Sequence, residues 1–265
     1  MALVQSKAAH SAGNASFTVT LTSAATAGNL IEVTTGWCYA GTVGLTIAVS
    51  DDKGNSYVKA CEAGTESTFV PKCQKWYAKN ITGGATVITI TPSGGSVNTN
   101  IGAVVDEYSG LDKTAPLDKT AVAGATFSTS PDSGSSGTLT QASEVVTCGV
   151  STQHNGNTIT VGTGFTQTSQ TDGAVGSEYQ TVASTAALDG TWTIGSADYW
   201  TCALATYKVA AAAGGNLFRP ASLSGVNTGG PFFGNPLACA RHEIGKWARA
   251  VRHLARRVEP CSLAA

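Results

Sequence analysis

The residue types that most often carry chemistry are thinly spread along this chain. It contains four histidines and seven cysteines in 265 residues. His10 lies near the N-terminus, His154 lies in the turn-like segment QHNGN, and His242 and His253 lie in a basic C-terminal segment. The cysteines form no CxxC pair, and no histidine spacing is typical of a metal site or a catalytic triad. We therefore predict that the protein is not an enzyme and needs no cofactor.

Adjacent carboxylates occur at Asp51–Asp52 and at Asp106–Glu107. Neighbouring residues of a strand point to opposite faces of the sheet. Neither pair is therefore expected to flank one substrate bond, as the two carboxylates of a glycosidase must. The segment SDDKGNS at 50–56 has some calcium-loop residues but lacks the bidentate Glu at the required spacing, so a turn between strands is predicted.

Two pairs of cysteines are predicted to form disulfides. Cys61 and Cys73 lie at equal distances from an apparent turn, GTESTF, which predicts that they are opposite each other on antiparallel strands. The distance between opposite Cβ atoms is close to what a disulfide needs. Cys148 and Cys202 are predicted to pair in the same way.

The segment 239–261 is basic and has the pattern of an amphipathic helix. All six arginines lie at or after Arg219, and residues 1–209 carry nine lysines against fifteen acidic residues. Spacings of three and four place apolar residues on one helix face with arginines around it. The predicted interface comprises Ile244, Trp247, Val251, Leu254 and Val258 with Arg249, Arg252 and Arg256.

A helix of this length is not stable alone in water, so it needs a partner. The acidic body opposes binding to nucleic acid or an anionic membrane, which favours docking on a neighbouring copy or a shell protein. Cys239 and Cys261 flank this helix, which would hold them about 33 Å apart. At least one of them is expected to form a disulfide with another chain.

The composition and the strand-like runs predict an all-β protein. Glycine, threonine, serine and valine are abundant, only 12% of residues are charged, and short β-rich runs alternate with turns. We predict an antiparallel β-sandwich over 1–209, of the jelly-roll or immunoglobulin-like kind. The runs repeat in order, which indicates an internal duplication with halves 1–112 and 113–209. Two seven-strand sandwiches in tandem, or two related halves around one core, both fit; we favour the second.

The composition of residues 210–238 predicts an extended arm with apolar residues spaced along it. The arm is rich in Gly, Pro, Asn and Ser and carries Phe218, Arg219, Phe232 and Phe233. Such a segment either lies in grooves of another surface or folds back onto its own sandwich.

The tryptophans are a second group of candidate functional residues. Trp37, Trp76 and Trp200 could form a platform for a glycan if their rings are exposed. Core packing is the competing interpretation, and we favour it.

The N-terminus lacks the apolar run of a signal peptide, and the chain has no apolar run long enough for a membrane span. Cysteines without a signal peptide are typical of proteins made in the cytosol, whereas the low-charge β composition is typical of proteins outside cells. A virion component released by lysis fits both observations. A secreted protein whose signal peptide is missing from this sequence is the alternative.

Several segments resemble a known family. MALVQS, AGNLIEV, KWYAKNITGGATVITITPSG and VVDEYSGLDKTAPLDKTA resemble a β-sandwich domain common in structural proteins of tailed phages and in bacterial surface proteins. FRPASLSGVNTGGPFFGNPL is similar to C-terminal peptides of some phage virion proteins. The resemblance covers roughly residues 1–238 and implies a head decoration, head fibre or tail component, with no family site residues to transfer.

Together these observations predict a structural protein of a phage virion, displayed on the particle surface and anchored through its C-terminal arm and helix. The expected partners are other copies of the chain and virion shell proteins. The alternative is a carbohydrate-binding module that recognises a host-surface glycan through the tryptophans.

Overall fold

A computed structural model of the chain describes residues 1–38, 43–65, 67, 70–96, 100–172 and 174–211. All regular secondary structure in this part of the chain is β-strand, which confirms the prediction of an all-β protein. No helix in the described residues is long and apolar enough to cross a membrane. The predicted arm from residue 212 onward, the predicted helix at 239–261, and Cys239 and Cys261 lie outside the described residues.

Sixteen strands follow one another in the described residues. They are β1 (Ala2–Ala12), β2 (Phe17–Thr20), β3 (Leu30–Cys38), β4 (Thr46–Asp51), β5 (Val58–Ala63), β6 (Pro71–Ala78), β7 (Val87–Ser93), β8 (Asn100–Ser109), β9 (Leu117–Ser128), β10 (Asp132–Ser135), β11 (Glu144–Thr152), β12 (Ile159–Val161), β13 (Thr166–Thr171), β14 (Val175–Val182), β15 (Asp189–Ile194) and β16 (Asp198–Lys208).

The strands form four antiparallel sheets, two in each half of the described chain. The first half holds a large sheet in the order β1-β8-β3-β6-β5 and a small sheet in the order β2-β7-β4. The second half holds a large sheet in the order β9-β16-β11-β14-β13 and a small sheet in the order β10-β15-β12. Adding eight to each strand number of the first half gives the strand order of the second.

Each half encloses its own apolar core between its large and small sheets. In the first half, Ile88 and Ile90 of β7 face Val33 and its neighbours in the large sheet. In the second half, Trp192 of β15 packs with Leu204 and other residues of the large sheet. Apolar and polar residues alternate along β7 and β15, so the apolar side chains of each strand lie on the face toward the core, as in any β-sandwich.

The two large sheets also pack face to face, so that the four sheets form four layers. Strands β3 and β6 contact β11 and β16 across this central interface, and β1 and β5 contact β13 and β9. The central strands β3 and β11 are consequently buried on both faces along their whole length.

Contacts across the central interface are reciprocal between the halves. Tyr77 of β6 packs edge-on against Tyr207 of β16, with ring centroids 5.6 Å apart. Tyr108 of β8 packs against Tyr179 of β14, with centroids 5.9 Å apart. Because β8 corresponds to β16 and β6 to β14, each contact is the counterpart of the other. This reciprocity is the pattern of contacts found in a symmetric dimer interface.

Glycines allow the backbones of the two large sheets to approach closely. A Cβ atom on Gly149 would lie 2.5 Å from Cγ2 of Thr34, and one on Gly36 would lie 2.6 Å from Oγ of Ser151. Both distances are shorter than van der Waals contact. A side chain at either position would force the halves apart, so glycine is required at these two points.

A buried carboxylate connects the two halves at the centre of this interface. The Glu32 side chain is fully buried, and its Oε1 accepts hydrogen bonds from the Thr147 hydroxyl (2.7 Å) and the Tyr207 hydroxyl (2.9 Å) of the second half. Its Oε2 lies 3.0 Å from Nζ of Lys75, which is also fully buried. Lys75 in turn donates to the Thr34 hydroxyl at 3.1 Å. The ion pair of the first half is thus completed by hydroxyl groups of the second.

A second carboxylate, Asp106, lies beside Glu32 because the two residues are opposite each other in the pairing of β3 with β8. Asp106 Oδ2 accepts hydrogen bonds from the Ser177 hydroxyl (2.9 Å) and the Thr168 hydroxyl (3.1 Å), both in the second half. Burial, together with the negative charge of Glu32, raises the pKa of Asp106 to about 6.

The first strand of each half was not predicted from the sequence. Strand β1 pairs along one side only, with β8, and β9 likewise pairs only with β16. Each half therefore has eight strands in the described residues, one more than the alternative of two seven-strand sandwiches had proposed. Polar edge strands escape pattern recognition because neither of their faces needs to be uniformly apolar.

The Glu32–Lys75 pair predicts a large effect of removing one charge. Lys75→Met leaves the Glu32 carboxylate buried without its counter-charge, and we expect a loss of about 3–5 kcal/mol in the free energy of unfolding. Adding Glu32→Gln, which keeps an acceptor for Thr147 and Tyr207, should recover most of that loss. Urea unfolding of the variants measures both effects.

The control is Lys59→Met, which removes the exposed partner of Glu62. An exposed pair contributes at most about 1 kcal/mol. A Lys75→Met variant no less stable than Lys59→Met would show that the central ion pair does not hold the halves together.

The raised pKa of Asp106 predicts a pH dependence of stability. The folded protein binds a proton at Asp106 below about pH 6, whereas the unfolded chain binds it only near pH 4. Stability should therefore rise as the pH falls from 6 to 4, by up to about 1.4 kcal/mol per pH unit. Asp106→Asn should remove this contribution, measured as the difference between wild-type and variant urea unfolding at pH 4, 5, 6 and 7. Parallel pH profiles of the two proteins would contradict the assignment.

Candidate functional site

A polar depression lies at one end of the second half, between two turns. Residues 154–158, between β11 and β12, form one wall, and residues 195–198, the turn after β15 with the first residue of β16, form the other. The depression has a volume of about 410 Å³. We refer to it as the tip depression.

The two turns are joined by reciprocal hydrogen bonds. Asn157 Nδ2 donates to the Ser196 carbonyl, and the Ser196 N–H donates to Asn157 Oδ1, each at 3.1 Å. The Gly195 N–H donates to the Thr158 carbonyl at 2.9 Å. Gly156 adopts a φ of +79°, a backbone conformation that favours glycine in such a turn. The local sequence, NGN followed by a strand, thus builds a turn whose shape is held by its neighbour.

His154 and Asp198 form a pair at the edge of the tip depression. The side chain of Asp198 is only 2% exposed, whereas that of His154 is 68% exposed. His154 Nδ1 lies 2.9 Å from Asp198 Oδ1, and the His154 backbone N–H donates to Oδ2 at 3.0 Å. The Tyr199 N–H also donates to Oδ1 at 2.9 Å.

The contact with Asp198 determines which nitrogen of the His154 ring can bond to another group. A carboxylate that receives backbone N–H groups is an acceptor, so the Nδ1 of His154 carries the proton that it donates to Asp198. In the neutral ring, Nε2 is then left as an acceptor. This arrangement orients the imidazole and leaves its Nε2 available for a hydrogen bond.

An exposed aromatic pair lies at the same end of the second half. Phe127 of β9 is opposite Tyr199 of β16, and their ring centroids are 5.3 Å apart. Phe127 is 59% exposed. Because Tyr199 follows Asp198 in the strand, the two side chains lie on opposite faces of β16, and the aromatic pair does not line the tip depression.

Two of the three tryptophans expected to contact a glycan are buried. Trp37 is 2% exposed and belongs to the core of the first half, and Trp200 is 5% exposed and belongs to the core of the second. The favoured interpretation, core packing, is confirmed for these two residues, and the alternative of a glycan platform that includes them is wrong, because both lie in interior strands of the large sheets. Trp76 is half-buried; its Nε1 donates to Gln74 Oε1 at 2.9 Å, and Lys59 Nζ lies 5.7 Å from its ring centroid.

The predicted pairing of Cys61 with Cys73 is not formed, and both are free thiols. The register places Cys61 opposite Lys75 and Cys73 opposite Ala63, with a bulge between residues 59 and 61. The cysteines are therefore diagonal neighbours, which is too far apart for a disulfide. Burial raises the pKa of Cys61 to about 12, so this thiol is protonated and unreactive at neutral pH.

Cys148 and Cys202 are likewise free thiols. Cys148 is opposite Leu204, and Cys202 is opposite Val150, so this pair is also two residues out of the predicted register. Both side chains are buried in the core of the second half, where they act as small apolar residues.

The adjacent carboxylates lie as the sequence predicted. Asp51 ends β4, and its Oδ1 accepts N–H groups from Lys53 and Asn55, which confirms the turn at SDDKGNS. Asp106 faces the second half, whereas Glu107 accepts a hydrogen bond from the Asn29 side chain at 2.6 Å on the other side of β8. The two carboxylates of this pair point to opposite faces.

No protein-family model, curated protein or solved structure matches the chain. Among the described residues, no group of three or more His, Cys, Asp or Glu side chains is placed to hold a metal ion.

The sequence had indicated a turn at QHNGN but not the contact of His154 with Asp198. The two residues are 44 positions apart, and only the pairing of β11 with β16 brings them together.

The His154–Asp198 pair predicts a specific effect of Asp198→Asn. One oxygen position becomes an NH2 group that faces a backbone N–H, and a buried donor left without an acceptor costs about 1–3 kcal/mol. We expect that loss in the free energy of urea unfolding, with a change in the ring-nitrogen NMR shifts of His154 away from the Nδ1-protonated form.

Asp172→Asn is the control, because Asp172 forms an exposed pair with His10 at 3.0 Å. It should change stability by less than about 1 kcal/mol. Unchanged His154 shifts in Asp198→Asn would mean that Asp198 does not orient the ring.

Proposed function

We propose that this chain is a structural protein of a phage virion, displayed on the particle surface as a decoration, fibre or tail component. The observation that carries the proposal is the construction of residues 1–214, which form one compact unit from two sandwiches joined at an interface that fully buries Glu32 and Lys75. A unit of this kind resists deformation and presents its turns at the surface, as a displayed virion component must. The resemblance of several segments to phage structural domains favours the same role.

The strand order supports a finer description of each half as a jelly roll. In both halves the first strand pairs with the eighth, the second with the seventh and the third with the sixth. A chain wound in this way is a long hairpin folded into two sheets. Jelly rolls occur in viral capsid proteins and in lectins, so the fold is compatible with a virion role, although a fold alone does not establish a function.

We further infer that the chain arose by duplication of one eight-stranded unit. The two halves share their strand order, and the tyrosine contacts between them are reciprocal. A symmetric dimer of single sandwiches, later fused through the short segment between β8 and β9, accounts for both features.

The C-terminal arm and helix are the proposed anchor. Residues 215–265 carry six arginines, one lysine and two glutamates. A basic anchor and an acidic displayed unit favour attachment of the tail to acidic surfaces of shell proteins or neighbouring copies.

Truncation after Gly214 tests the anchor. Because residues 1–214 form one compact unit, the truncated protein should still unfold cooperatively in urea. It should be absent from purified particles, as measured by quantitative mass spectrometry. A chain with a Gly/Ser segment of equal length in place of 215–265 is the control for length, and it should also be absent.

Incorporation of the truncated protein at the wild-type level would refute the anchor but not the virion role. Absence of the full-length protein from particles would refute the virion role itself.

A further inference from the structure

We propose that the tip depression is a binding site for carbohydrate, specifically for neutral glycans. The site is formed by residues 154–158 and 195–198, and its volume of about 410 Å³ lies within the range of small-ligand sites. The proposal goes beyond the structural role above and does not depend on how the protein is attached to a particle.

The charges around the tip depression exclude strongly charged ligands. No lysine or arginine lines it, so it holds no permanent cation to neutralise a phosphate or a sulfate. Its single carboxylate, on Asp198, is buried, and both oxygens already accept hydrogen bonds. The depression therefore offers a ligand neither a permanent cation nor an unpaired carboxylate oxygen, and a neutral polar molecule fits it best.

The polar groups that remain match the hydroxyl groups of a sugar. His154 presents Nε2 as an acceptor, since its Nδ1 is used by Asp198. Asn155 is exposed and offers both a carbonyl oxygen and an amide NH2, and Ser196 is exposed and offers a hydroxyl. A sugar hydroxyl donates one hydrogen bond and accepts others, so a mixed set of donors and acceptors is what such a ligand requires.

The site is held in place before a ligand arrives. The ring of His154 is oriented by a buried carboxylate, and the two turns are tied together by the Asn157–Ser196 hydrogen bonds. Preorganised groups lose little conformational entropy on binding, which favours even a weakly bound polar ligand.

The first experiment applies the full-length protein to a printed array of neutral and anionic oligosaccharides. We expect binding to a subset of the neutral ones. The strongest neutral oligosaccharide is then titrated into the protein and followed by NMR, and the ring resonances of His154 should shift during the titration.

His154→Ala and Asn155→Ala should each weaken binding about three- to tenfold, the effect of one lost hydrogen bond. Removal of the His154 ring leaves Asp198 with backbone N–H groups of residues 154 and 199, so the variant is expected to fold. Asn155→Ala removes an exposed side chain. His10→Ala is the control, because His10 is also paired with an aspartate but does not line the depression, and it should bind as the wild type does.

Three results would overturn the proposal. The first is the absence of binding to every neutral oligosaccharide, including the case in which only anionic ones bind. The second is wild-type affinity in both His154→Ala and Asn155→Ala. The third is equal weakening in His10→Ala, which would place the binding surface elsewhere.

Discussion

The burial of Glu32 between the two large sheets is the constraint on which the rest of the structure depends. A carboxylate taken out of water is costly unless a counter-charge and hydrogen-bond donors surround it. Lys75 of the same half supplies the charge, and Thr147 and Tyr207 of the other half supply the donors. Either half alone would leave this group incompletely satisfied, so the two sandwiches form one folding unit.

The burial of Glu32 also explains why the two large sheets pack on each other in a single relative position. Apolar surfaces can slide over one another with little penalty, whereas a buried carboxylate must meet its hydroxyl partners at hydrogen-bonding distance. The close approach at Gly36 and Gly149 adds a steric requirement in the same place. Polar partners and glycines together hold the halves at one orientation.

The tip depression depends on the same framework. Strand β16 joins the central interface at its C-terminal end and reaches the tip of the second half at Asp198, its first residue. Turns on a rigid scaffold can differ in sequence without loss of the fold, and binding residues are commonly found on such turns. The proposed glycan site thus lies at the first residue of β16, whereas the central interface uses the C-terminal end of the same strand.

The sequence by itself determined the all-β class, the turn at SDDKGNS and the opposite orientation of Asp106 and Glu107, because these follow from period-two alternation and local turn chemistry. It did not predict the edge strands β1 and β9, whose sequences show no clear alternation. It also did not predict the register of Cys61 and Cys73, which depends on a bulge and on the turn between their strands. The sequence favoured core packing for Trp37 and Trp200 without excluding exposure, and the tertiary structure buries both. Only the tertiary structure showed that His154 contacts Asp198. The burial of a side chain depends on which sheet covers its strand, and the contact of His154 with Asp198 joins residues far apart in the chain. Neither the burial nor the contact can therefore be predicted from local spacing.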